Sequence, residues 1–141
     1  MKSILFLIPF FLMTAPAFSQ NGTIVLTVEG LTPEKGGNLS AGVFERSLFP
    51  QVGKQLVGKD TAVSGKTMRI VFRNVPAGAY ALVAFQDADA DGKLRTNMVG
   101  FPKDPIGFSR DAKIRFGPPA FDDAVLMLRS GETLEHTLVL R

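Results

Sequence analysis

Residues 87–94 read Asp-Ala-Asp-Ala-Asp-Gly-Lys-Leu, which sets three carboxylates at alternate positions ahead of a glycine. Calcium takes six to eight oxygen ligands, and the EF-hand loop supplies them from positions 1, 3, 5, 7, 9 and 12, with glycine at 6 for the sharp turn. With Asp87 at position 1, Asp89 falls at 3, Asp91 at 5, Gly92 at 6 and the Lys93 backbone carbonyl at 7. Positions 9 and 12 are Arg95 and Met98, so the bidentate carboxylate that closes such a cage is absent. A further ligand would come from Asn97, from Asp104 or Asp111 folded back over the loop, or from water. Incomplete closure places the expected calcium affinity near roughly 10⁻⁴ to 10⁻³ M, the range of extracellular modules.

Converging carboxylates repel one another, and a divalent ion cancels that repulsion more completely than Lys93 or Arg95 reaching back. The alternative is a solvated turn in which the aspartates accept backbone N–H groups. Other reactive patterns are weak. His136, the single histidine, is in phase with Leu134, Leu138 and Leu140, as a packed strand residue would be. Without cysteine and with one histidine, the usual zinc sites and Cys-His chemistry are unavailable. No Gly-x-Ser-x-Gly turn supports a Ser-His-Asp site through Ser109 or Ser47. An acid and base pair could be drawn from Asp87, Asp89, Asp122 and Asp123, making an envelope hydrolase the competing reading.

Short alternating apolar runs must position this loop. Ile24, Leu26 and Val28 share one strand face, as do Met68, Ile70 and Phe72, and Ala124, Leu126 and Leu128. Residues 38–45 and 133–140 are also strand-like, whereas 79–86 is apolar on both faces and therefore central in its sheet. Turn signals fall at 33–38, 58–66, 76–78 and 130–131, and a weak helical signal at 46–56. The spacing predicts a single all-β, antiparallel β-sandwich of about seven strands with one long loop at about 87–119. So long a connection points to function, and its prolines and glycines to an ordered path. Asn97, Phe101, Phe108, Ser109, Phe116 and Phe121 are its candidate contact residues, with the rings either packed on the sandwich or exposed as a shallow groove.

Lys2, the apolar run from Ile4 to Met13 and the small residues Ala15, Ala17 and Ser19 read as a signal peptide, cleaved after Ala17 or Ser19. The expectation is a domain at 20–141, exported to the periplasm or beyond the cell. That run is too short to span a bilayer. Without Lys2, 15 basic side chains face 13 acidic ones. This balance lacks the basic stripe of nucleic-acid binding.

Asp87, Asp89, Asp91, Gly92 and Lys93 are followed by Thr96-Asn97, Gly100, Pro102, Gly107-Phe108-Ser109, Gly117-Pro118-Pro119, Phe121 and Ala124. In this pattern the chain resembles the bacterial family called domain of unknown function 2141. The resemblance implies an exported sandwich of immunoglobulin or transthyretin type and no established activity. Family members commonly carry an acidic residue where this chain has Arg95. The expectation is a non-enzymatic module with calcium at Asp87, Asp89, Asp91 and the Lys93 carbonyl. Its partner would be an envelope polymer, a glycan or a protein.

Overall fold

The computed structural model describes residues 20–141; the signal-peptide expectation for residues 1–19 lies outside them. Two sheets face each other, one of three strands and one of five. The smaller sheet contains β1 (Gly22–Glu29), β4 (Thr67–Val75) and β8 (Thr133–Val139), with β1 in the middle. The larger contains β2 (Asn38–Phe44), β3 (Val57–Ala62), β5 (Gly78–Asp87) and β6 (Ile106–Phe108) in the order β3-β2-β5-β6, with β7 (Leu126–Leu128) also on β5. Neighbouring strands run antiparallel with one exception. β1 and β8 pair in parallel, Leu26 opposite His136, which departs from a wholly antiparallel sandwich.

Alternation explains the packing. Ile24, Leu26 and Val28 meet Ile70 and Phe72 from β4, Leu39, Ala41 and Val43 from β2, and Tyr80, Leu82 and Ala84 from β5 in one buried core between the sheets. The other face of β5 is buried as well. Val83 and Phe85 pack with Phe44, Ile106 and Phe108, while Ala81 packs with Phe121 and Ala124 of a single helical turn, α1 (Phe121–Ala124). The apolar character of 79–86 therefore has two causes, a core inside and a folded connection outside.

Three details differ from the sequence expectation. Residues 46–56 form turns, not a helix. Within them Phe49 stands edge-on to Phe44, Phe108 and Phe121, each 5.8–6.1 Å away between ring centres, so packing and not helical periodicity fixes the segment. β3 occupies residues expected to be turn. It is an edge strand with almost every side chain in water, and it carries no apolar alternation to read. Ala124 belongs to α1, leaving a shorter β7 than the pattern implied.

The connection after β5 is ordered by specific contacts. It contains β6, a Thr96–Pro102 bridge and a tight turn at Ser109–Asp111. Buried Ser109 donates its hydroxyl to the Ala124 carbonyl at 2.5 Å and accepts the Leu82 N–H at 2.9 Å, tying α1 to β5.

Candidate metal centre

β5 ends at Asp87, opposite Asn38 of β2, and the chain turns at once. The Ala90 N–H returns to the Asp87 carbonyl, with Ala90 at φ 54°. One Asp87 oxygen, Oδ2, accepts the Gly92 N–H at 2.7 Å, and Asp91 Oδ1 accepts the Lys93 N–H at 2.8 Å. Gly92 has φ 76°, the left-handed geometry expected of the sixth loop position. The turn thus uses aspartates to hold backbone donors, as the solvated-turn reading requires, but it leaves other oxygens free to converge.

Asp87, Asp89 and Asp91 each present a carboxylate oxygen, all within 4.8 Å of one another. Oxygens lying 2.3–2.6 Å from one calcium ion can be at most about 5 Å apart, so the set fits a single ion. Asp89 and Asp91 are exposed, whereas Asp87 is 1% exposed. The second Asp87 oxygen, Oδ1, is buried without a hydrogen-bond partner among the described residues. Leaving a buried carboxylate oxygen unsatisfied is costly, and a cation at this position would satisfy it.

The bed beneath Asp87 is the corner at residues 32–37. Gln86, fully buried, accepts the Thr32 N–H at 2.9 Å and donates to the carbonyls of Thr32 and Gly36 at 2.8 and 2.9 Å. Gly37, at φ 74°, lies directly against the Asp87–Ala88 backbone. Neither residue stands out as part of a site in the sequence. A lone amide in the apolar run 79–86 was the available signal for Gln86.

The proposed closing ligands are engaged elsewhere. Asn97 Oδ1 accepts the N–H groups of Val99 and Phe101. Asp111 pairs with Lys113 and Arg141, which hold its carboxyl below the usual range. Asp104, its side chain fully buried, receives the Arg95 backbone N–H on one oxygen and the Arg95 guanidinium on the other, at 2.9 and 2.5 Å. Burial pushes the Asp104 carboxyl up, and the Arg95 hydrogen bonds and charge pull it below its ordinary value. Arg95 is therefore spent on Asp104. Were an ion held here, its remaining ligands would have to be backbone carbonyls or water.

This clamp predicts a pH signature. Because the folded state holds Asp104 below its ordinary value, the clamp's stability is present above the unfolded carboxylate range and is lost as pH falls through the folded value. Arg95→Met should lower the urea midpoint at neutral pH, and the gap from the parent chain should narrow below about pH 4. An equal gap at both pH values would refute the assignment.

The expected contact residues divide. Phe116 and Phe101 are exposed, 106% and 41%, and Asn97 is exposed beside them. Phe108, Ser109 and Phe121 are buried, because the outer face of β5 must be covered and they cover it. Phe101 and Phe116 instead flank an apolar groove of about 160 Å³ with Leu94, Val99 and Ile106. Of the aspartates considered for acid and base chemistry, Asp122 is paired with Arg46 at 2.6 Å. His136 is half-buried and accepts the Arg110 N–H at 3.1 Å; burial lowers its pKa.

The class defined here is an all-β sandwich with an acidic turn at the end of β5, an interior strand of the larger sheet. The family described as "Uncharacterized protein conserved in bacteria (DUF2141)" matches residues 26–135, and the chain belongs to it. No curated protein and no solved structure matches the chain. Among the described residues no helix is long and apolar enough to cross a membrane.

Proposed function

We propose that the protein is an exported, non-enzymatic binding module whose residues 87–94 take calcium. The ion serves order, drawing together the end of β5 and the start of the long connection. Asp87, Asp89 and Asp91 supply carboxylate oxygens, Lys93 its carbonyl, and Gly92 the turn. The observation that carries this reading is the Asp87 side chain, which clusters with the exposed Asp89 and Asp91 and whose Oδ1 is buried with no hydrogen-bond partner among the described residues. A merely solvated acidic turn gives no reason to bury one of its oxygens unpaired.

Binding only the folded state stabilises it by RT ln(1 + [L]/Kd), about 1.4 kcal/mol when calcium is at tenfold Kd. For a domain of this size that is a rise of about 5 °C in melting temperature. Asp89→Asn should abolish the rise and its reversal by chelator. In metal-free buffer the variant should melt at or slightly above the parent, because one repelling charge is gone. Calorimetric titration with calcium, run against magnesium, gives the affinity directly. No heat and no melting response to millimolar calcium would overturn the reading.

A further inference from the structure

The aspartate turn and the apolar groove belong to one loop: the Lys93 N–H donates to Asp91 in the first, and Leu94 lines the second. Around the groove the apolar side chains project instead of packing. Met98 is 105% exposed, Val99 77% and Phe116 106%. Exposed Lys93, Lys103 and Arg115 stand next in sequence to groove residues Leu94, Pro102 and Phe116. The groove continues at Phe116, Gly117 and Pro118 into a wider cleft bearing Arg110, Lys113 and Arg115. Asp111 in that cleft is occupied by Lys113 and Arg141, and neither Arg110 nor Arg115 has a carboxylate partner among the described residues.

Projecting apolar side chains ringed by lysine and arginine suit the interface of an anionic bilayer, where rings enter the headgroup boundary and cations meet phosphates. Charge decides when this can happen. Arg95 and Asp104 cancel, as do Lys113 and Asp111, so Lys93, Lys103, Arg110 and Arg115 stand against Asp87, Asp89, Asp91 and Asp123 of the same cleft, and the tip is neutral. A divalent ion in the turn leaves the same tip with a net charge of two positives. We infer that the metal-loaded tip docks on an anionic lipid surface through Val99, Phe101 and Phe116, and that the metal-free tip does not. This inference rests on the calcium reading above.

The test is sedimentation of the chain lacking residues 1–19 with vesicles of phosphatidylcholine alone or mixed with phosphatidylglycerol, in calcium or chelator, alongside calorimetry. The expected result is pelleting with the mixed vesicles in calcium, at least tenfold weaker in chelator. Binding should fall with added salt, roughly fivefold for each basic side chain replaced. Phe116→Ser should weaken pelleting while leaving the calcium heat intact, and Asp89→Asn should lose both. Calcium heat without pelleting overturns the docking alone. Equal pelleting of Asp89→Asn in calcium also overturns it, since the ion would then be acting on the lipid. Absent calcium heat removes the reading beneath the inference, whatever the vesicles show.

Discussion

Gly37→Ala is expected to destabilise the domain by about 2–5 kcal/mol and to erase the calcium response. A Cβ at this position would overlap the Asp87 carbonyl oxygen and stand 2.6 Å from Ala88 Cα, backbone that cannot swing aside as a side chain can. Overpacking of this kind costs about 1–3 kcal/mol, and the left-handed φ of 74° adds roughly 1–2 kcal/mol for any residue with a Cβ. The strain lands where β2 and β5 meet at Asn38 and Asp87, so the first aspartate of the cluster moves with it. Gly36→Ala is the matched control. Gly36 also has positive φ, but nothing lies within 4 Å of its added Cβ. At φ 62° and ψ −148° it should show the conformational cost alone, about 1–3 kcal/mol, and keep its calcium-induced rise. Thermal melts of both variants with and without calcium give the comparison, and an undiminished calcium response in Gly37→Ala would refute the role given to Gly37.

Gln86→Met should cost about 2–3 kcal/mol, or about 10 °C in melting temperature. The replacement keeps length and shape but removes an acceptor from the Thr32 N–H and donors from the Thr32 and Gly36 carbonyls. The Thr32 carbonyl retains the Lys35 N–H, so the cost falls on the Thr32 N–H and the Gly36 carbonyl. Such groups are expensive when shut away from water and unpaired. Loosening the corner at 32–37 also frees Gly37 from Asp87, so calcium affinity should fall as well. A change under about 0.5 kcal/mol would show that water replaces the amide freely.

The strands that carry alternating apolar residues were legible in the sequence, because burial on one face writes a period of two into the chain. β3 was not, since an exposed edge strand has nothing to alternate. The spacing of Asp87, Asp89, Asp91 and Gly92 foretold a convergent turn, and the geometry bears that out. The commitment of Asp104 to Arg95 could not be read, because the partners are nine residues apart in an irregular segment with no fixed facing. The same holds for the rings. Composition cannot say which phenylalanines cover β5 and which project, and the division of Phe108 and Phe121 from Phe101 and Phe116 emerges only once the connection is folded.

The parallel pairing of β1 with β8 bears on how the domain is made. The second neighbour of the first strand is the last one, so the middle of the smaller sheet stays half open until the whole polypeptide is at hand. A chain emerging stepwise from a ribosome or a pore therefore cannot lock its sandwich early. High contact order of this kind favours assembly in milliseconds to seconds over microseconds. Until then the unpaired edge of β1 is a site where a foreign strand can add, and whatever guards the nascent chain must guard that edge.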